Sequence, residues 1–173
     1  MSTPSVMIRP VRREDAADLQ ANCFSGNTLE EVRQQIESFL DDPARGHALR
    51  LVAEVGGTVV GSADLVREAH RLKRHRAEWA GVVVCGPYQG RGIARALLRE
   101  TLSQAASWGI ELLTVGVRGG TPAEEVYRRL GFREYSRLPG GLKEVCDGRL
   151  LAYDEVMLCV VVPAFADRPG PAD

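Results

Sequence analysis

The residues of this chain best suited to chemistry are Gln89-Gly90-Arg91-Gly92-Ile93-Ala94-Arg95. Two glycines stand between an apolar run ending at Val84 and the start of a helical pattern, so backbone amides can close on an anion without obstruction from side chains. Arg91 adds positive charge. Several phosphate-binding loops share this logic. A P-loop requires Lys followed by Ser or Thr after its last glycine, and Ile93 and Ala94 occupy that ground. A dinucleotide fingerprint requires Gly or Ala where Arg95 stands, and its acidic partner would be Glu111, which begins a strand instead of ending one. Both alternatives weaken.

The elements around the loop are legible from period. Arg76 to Val84 reads as a strand closing on the continuous apolar run Val82-Val83-Val84, as expected where both faces are buried. From Arg91 the period becomes helical, with Ala94, Leu97, Leu98, Thr101, Leu102 and Ala105 on one side and Trp108-Gly109 as the stop. Glu111 to Val117 returns to strand, making residues 76–117 a crossover unit with parallel flanking strands. Thr121-Pro122-Ala123-Glu124 then reads as a capping box opening a short helix, with Ala123, Val126, Tyr127 and Leu130 on one stripe and Gly131 as its end. Two final strands, Phe132 to Leu138 and Leu150 to Val162, flank a loop containing Pro139-Gly140-Gly141 and Asp147-Gly148.

Upstream, Met7 to Val11 is an opening strand, and Glu14-Asp15 supplies the acidic first turn of a helix running to about Phe24. Thr28 and Glu31 form a capping box, followed by a helix with Leu29, Val32, Ile36, Phe39 and Leu40 on one face that ends at Asp42-Pro43. Leu49 to Val55 and Thr58 to Val66 are joined by Gly56-Gly57, the signature of a tight hairpin. One domain over residues 1–162 and a flexible tail over 163–173 are expected.

At 173 residues the chain suits one domain of respectable core, and 45% hydrophobic and 26% charged residues are near the soluble average. A net charge of −1 supplies no bulk attraction to nucleic acid, and no apolar run is long enough to cross a bilayer. Met1 to Pro10 carries no secretory leader, so a cytoplasmic location is expected. Cys23, Cys85, Cys146 and Cys159 read as small buried hydrophobes, and with His47, His70 and His75 they form no ligand set, so no metal is expected. The basic stretch Arg67 to Arg76 reads as a solvated hairpin tip, with a lip attracting an acidic substrate or phosphates as the alternative.

Gln89, Gly92 and Ala94, with Val83-Val84-Cys85-Gly86-Pro87-Tyr88 before them and Arg95-Ala96-Leu97-Leu98 after, resemble the signature of the GNAT superfamily of N-acetyltransferases. Val126-Tyr127-Arg128-Arg129-Leu130-Gly131-Phe132 is similar to the family's Tyr-x-x-x-Gly-Phe, and Asp147 to Leu158 resembles its last two strands. The resemblance spans Ile8 to Val162 in order. It implies an α/β (α+β) fold, a mixed twisted sheet of about six to seven strands flanked by about four helices, splayed open between the strand ending at Val84 and the one starting at Glu111. Acetyl-CoA is the implied cosubstrate, its pantetheine pairing with Val82, Val83 and Val84 and its pyrophosphate lying over Gln89, Gly90, Arg91, Gly92, Ile93, Ala94 and Arg95.

The implied reaction is acetyl transfer to a primary amine of a small molecule or peptide by direct attack in a ternary complex, without nucleic acid or membrane; a homodimer is left open. By resemblance Tyr127 is the general acid, the Val82 amide polarises the thioester carbonyl, and Glu78, placed before Gln89 as the base of the histone-acetyltransferase branch is placed before its own signature, is the general base. Against these stand an exposed Glu78 paired with Arg76 or Arg74, and a core Tyr127 with a satisfied hydroxyl. Glu155, Asp154 and Glu124 are lesser base candidates. Relatives carry Asn before the tyrosine helix where this chain has Arg118-Gly119-Gly120-Thr121, so Thr121 or a backbone group must substitute. Glu30, Glu31, Glu37, Asp41 and Asp42 offer an acidic acceptor wall and residues 67–76 a basic one, so the acceptor stays open, as do a longer acyl donor and a non-catalytic acyl-CoA-binding module.

Overall fold

A computed structural model describes residues 5–40 and 46–165. The strands are β1 (Val6–Pro10), β2 (Ala48–Val55), β3 (Thr58–Arg67), β4 (Arg76–Val84), β5 (Leu112–Arg118), β6 (Arg133–Cys146) and β7 (Arg149–Val161). The helices are α1 (Ala16–Asn22), α2 (Leu29–Leu40), α3 (Ile93–Ser107) and α4 (Pro122–Arg129). The sheet runs β1-β2-β3-β4-β5-β7-β6, antiparallel except where β4 meets β5. That parallel step is the one the strand–loop–helix–strand pattern requires, because a parallel pair needs a crossover and α3 supplies it.

Gly56 and Gly57 take φ of 59° and 84°, the two positive values of a type I′ turn, and set Val55 opposite Thr58. The hairpin register puts alternate side chains on opposite faces. Leu49, Leu51, Ala63 and Leu65 meet Leu97, Leu98 and Ala105 of α3, while Val52 and Val59 meet Leu19 of α1 with Val32 and Ile36 of α2. Thr28 and Glu31 cap α2 reciprocally, the Thr28 amide donating to Glu31 at 2.7 Å and the Glu31 amide to the Thr28 hydroxyl at 3.2 Å.

Between sheet and helix pair lies a charged pair, Arg50 on β2 and Asp64 on β3, in which Arg50 Nε and Nη2 donate to the carboxylate at 2.7 and 2.8 Å. The Arg50 guanidinium sits 5.0 Å from the Phe24 ring and 4.6 Å from the Phe39 ring, an aromatic sandwich that excludes water while satisfying the cation. Burial pushes the Asp64 carboxyl up and the Arg50 fork opposes it.

Four expectations need correction. Pro139-Gly140-Gly141 does not separate two strands; β6 continues through it as an irregularity between Leu138 and Leu142, and the hairpin turns at Asp147-Gly148. The capping box at Thr121 does not form, because the Thr121 hydroxyl donates to the Arg118 carbonyl at 2.7 Å and Glu124 accepts from the Gly120 amide at 2.8 Å. The cysteines are half-buried and unpaired instead of fully buried. The basic stretch lies at the N-terminal end of β4, with the strand between it and the phosphate loop, so it is no lip for the cofactor's phosphates. Pro163–Phe165 form a 3-10 turn, Pro163 and Ala164 lying beside Leu98 and Leu102 of α3; the remainder of the expected tail and the helix stop at Asp42-Pro43 fall outside the described residues.

Candidate active site

β4 and β5 share three register pairs, Arg76 with Leu112, Ala77 with Leu113 and Glu78 with Thr114, and then part. Two causes act together. β5 stays paired with β7 along its whole length, Leu112 opposite Val161 through Arg118 opposite Glu155, so it cannot follow β4. β4 in turn carries a bulge: Asp64 faces Ala80 and Ser62 faces Val83, so Gly81 and Val82 together oppose Ala63. A bulge bends its strand and increases its twist. Gly81 has φ 56°, and a Cβ there would lie 3.1 Å from the Asp64 Oδ2, so glycine is demanded by both backbone and neighbour.

Among the described residues no strand covers the β5-facing edge of Val82–Val84. Val82 and Val84 line a cleft of about 550 Å3 there, while Val83 does not. Gly92 caps α3 with φ 80° and ψ 8°, and the first ladder bond of the helix is donated by Ala96 to the Gly92 carbonyl at 3.0 Å. The amides of Ile93, Ala94 and Arg95 therefore precede the ladder at the positive end of a 15-residue helix. Gly90 and Gly92 have open space where a Cβ would stand, and both line the cleft with Gln89, Ala94 and Arg95.

The side chains of the loop divide their work. Gln89 Nε2 donates to the Val84 carbonyl at 2.9 Å, closing the turn between strand and helix. Arg91 lies 5.3 Å over the Tyr88 ring, and Ile93 is buried in the core, pinning the start of α3. These residues fit a diphosphate held by main-chain donors, with Arg91 and Arg95 exposed beside it.

The opposite wall is α4. None of its residues is fully buried; Ala123, Val126, Tyr127 and Leu130, the stripe that periodicity marks as apolar, line the cleft, and Tyr127 and Leu130 also pack against the edge of the core. Tyr88, Pro122 and Arg129 are cleft residues that sequence reasoning did not single out, while Ala123, Val126 and Leu130 were legible as a stripe, on a helix too polar elsewhere to be internal, but not as cleft lining. Tyr127 rests edge-on to Trp79 at 5.9 Å and to Phe132 at 6.0 Å, and those two rings stack at 5.8 Å. The ring thus packs on the core, and its hydroxyl has no hydrogen-bond partner among the described residues. Burial raises its pKa above the usual 10.0.

Glu78 projects from β4 at the last ladder pair, exposed and without hydrogen bond or ion pair among the described residues, so it is paired with neither Arg74 nor Arg76. The other carboxylates are engaged. The Gly120 amide, Arg128 and Arg137 hold Glu124 down to about 2, and Asp154 meets Arg137 at 3.3 Å and the Gly140 amide at 3.2 Å. Glu155 lines a second cleft, about 690 Å3, with Arg118, Thr121, Leu142 and Tyr153, and that cleft meets the first at Tyr127. Thr121 is thus on the second cleft, while Pro122 and Ala123 line both. Of the acidic acceptor wall, Glu31 is spent on its cap and Glu37 on Arg13 at 2.7 Å; Asp41 and Asp42 lie outside the described residues. No described cluster of His, Cys, Asp or Glu could hold a metal, and no described helix is long and apolar enough to cross a membrane.

Residues 13–132 match the model of the acetyltransferase (GNAT) family. The chain is 34% identical over 147 residues to the N-alpha-acetyltransferase RimI of Mycobacterium tuberculosis, covering 80% of this chain and 89% of that protein. Its fold superposes with a TM-score of 0.75 on a ribosomal-protein-alanine N-acetyltransferase from Brucella melitensis, 26% identical and covering 90% and 99% of the two chains. It also superposes at 0.73 on yncA of Salmonella typhimurium, solved with its cofactor acetyl-CoA, 20% identical and covering 98% of each chain. With seven strands in this order, four helices and a match across most of its length, the chain belongs to the GNAT family and is an acyl-CoA-dependent acetyltransferase.

Proposed function

We propose that the protein transfers an acetyl group from acetyl-CoA to the α-amine of a peptide by direct attack within a ternary complex. The observation that carries this reading is the cleft between β4 and α4, where an unpaired strand edge, a helix start with free amides and an unbonded Tyr127 hydroxyl converge. The pantetheine arm extends the sheet along Val82–Val84, and the pyrophosphate takes the amides of Ile93, Ala94 and Arg95 with the help of Gly90 and Gly92.

In the reaction the amine nitrogen forms a bond to the acetyl carbon and the carbon–sulfur bond breaks. The Val82 amide polarises the carbonyl oxygen in the tetrahedral stage. Glu78 takes the amine's proton through a chain of waters, and Tyr127 gives its own to the departing thiolate. Burial suits Tyr127 to this role because it keeps the hydroxyl protonated through neutral pH.

A peptide α-amine is favoured by two things. The Mycobacterium tuberculosis relative is named an N-alpha-acetyltransferase and the Brucella melitensis one a ribosomal-protein-alanine N-acetyltransferase. In addition, a free amino acid would bring a carboxylate needing a cation, and Arg118, the one basic residue lining the second cleft, is committed to Glu144 and stacked 5.5 Å from the Tyr153 ring. Thiol release from acetyl-CoA across a panel of tripeptides, free amino acids, polyamines and butylamine tests the reading. Turnover highest with tripeptides is expected. Turnover confined to amino acids or polyamines overturns the acceptor, release faster with longer acyl-CoA overturns the donor, and tight binding without thiol release from any amine overturns the enzyme.

A further inference from the structure

Glu155 is the one carboxylate of α4, β5, β6 and β7 that no positive charge engages. Glu124 and Glu134 are held by Arg128 and Arg137, Glu125 by Arg129, Glu144 by Arg118 and Asp154 by Arg137. The Glu155 side chain makes no hydrogen bond or ion pair among the described residues although the residue is half-buried, and its cross-strand neighbour Arg118 turns to Glu144 instead. A half-buried anion without a partner is costly unless water or a ligand answers it.

Its position along the sheet gives the missing partner a place. Thr114 is level with Glu78, and Arg118, four residues further along β5, is level with Glu155. At about 3.3 Å per residue that is roughly 13 Å above Glu78. Val82 stands four residues beyond Glu78 on β4, one of them taken up by the bulge, so the Val82 amide lies about one residue, roughly 3 Å, short of the height of Glu155 on the other side of the gap. The cleft that Glu155 lines is walled by Leu142 and Tyr153 and opens on Tyr127, which the cofactor cleft also reaches. Gly116 removes a side chain from its floor.

We propose that Glu155 is the acceptor's ammonium-binding residue: a primary amine enters between β5 and the β6–β7 hairpin as a cation, is held by Glu155 within about one residue of the thioester's height, and gives up its proton through a chain of waters toward Glu78 only once aligned. The proposal rests on the amine-acetylating reading but not on the acceptor being a peptide. It assigns the two unpaired carboxylates different duties, Glu155 in binding and Glu78 in proton removal.

The test is calorimetric titration of the CoA-loaded protein, which needs no turnover. The probes are the tripeptide Ala-Ala-Ala, its N-acetylated form and n-butylamine. For Glu155→Gln, affinity for the two cationic probes falls at least about tenfold, while affinity for the acetylated tripeptide and for CoA itself is unchanged, and Glu155→Asp recovers part of the loss. Equal affinity of wild type and Glu155→Gln for the cationic probes overturns the assignment. So does an equal loss for the acetylated tripeptide, which marks a structural role, and so does wild-type protein that binds neither cation. Wild-type protein that binds butylamine but not the tripeptide overturns the peptide reading alone, with Glu155→Gln then judged on butylamine.

Discussion

Glu78 and Thr114 are the last residues to face each other across the parallel strands β4 and β5, and every residue beyond them on β4 lacks a partner on that side. The pair marks the hinge of the gap. A base at this point lies roughly 10 Å below the Val82 amide along β4, so it reaches an amine at the thioester through a chain of waters and leaves the thioester's own space free. Glu78→Gln is therefore expected to lower kcat about 10²-fold at pH 7. The deficit shrinks as pH rises past the α-amine's own value, about 7.7 to 8.0, because the acceptor then arrives deprotonated. A pH profile of kcat/KM with a tripeptide acceptor measures it; a deficit constant from pH 6 to 10 removes Glu78 as the base.

Tyr127→Phe keeps the edge-on contacts to Trp79 and Phe132 and deletes only the hydroxyl. Turnover falls by about 10² or more while acetyl-CoA affinity stays within about twofold of wild type. Because burial raises the hydroxyl's pKa above 10.0, the acid form persists through the neutral range, and loss of wild-type rate through its ionisation appears only above that value. Pre-steady-state acetyl transfer separated from equilibrium binding distinguishes the two effects.

Gly92→Val places a branched side chain at φ 80°, where the left-handed conformation costs an L-residue about 1–2 kcal/mol, and fills the open space beside the amides of Ile93 to Arg95. Acetyl-CoA affinity is expected to fall at least about tenfold. Titration with CoA and with its dephosphorylated pantetheine fragment locates the loss: CoA weakens and the fragment does not. Equal weakening of both moves the diphosphate elsewhere.

Glu124 fastens the start of α4 through the Gly120 amide, Arg128 and Arg137, which hold its pKa near 2 against the usual 4.5. A carboxyl depressed in the folded state stabilises it above the unfolded value and loses that contribution as pH falls. The α4 wall is thus expected to loosen between about pH 4.5 and 2, reported by Trp79 fluorescence, since Tyr127 lies against that ring. Glu124→Gln shows the loosening already at pH 7 and is insensitive over that interval.

Arg50→Ala strands the Asp64 carboxylate, whose side chain is 10% exposed, under α1 and α2. Breaking one side of such a buried pair costs about 3–5 kcal/mol, whereas the double change Arg50→Met with Asp64→Leu costs much less because no charge is left unanswered. Urea unfolding of the single and double variants checks the order.

Much of the fold was legible in local patterns. The Gly56-Gly57 hairpin, the Thr28–Glu31 cap and the strand–loop–helix–strand order around Gly90 and Gly92 are settled by residues within a few positions of one another, where backbone sterics and hydrogen-bond satisfaction act alone. Local signals failed at Pro139-Gly140-Gly141 and Thr121. At the first, pairing with β7 carries the strand through a sequence that resembles a turn. At the second, the Gly120 amide and the Arg118 carbonyl outbid the cap.

The chain's own order of residues determined which groups could grip a diphosphate and which tyrosine and carboxylates were on hand, because spacing along a strand or a helix decides which of them share a face. The width of the gap, the exposure of the α4 stripe and the difference between Glu78, Glu155 and the engaged acids were decided only in three dimensions. Each depends on strands remote in sequence: β7 holding β5 straight while Gly81 bends β4 away, and arginines of α4, β5 and β6 taking up every acid near the site except two. No local pattern records such competition, since it is settled by which partner lies nearest once the sheet has closed.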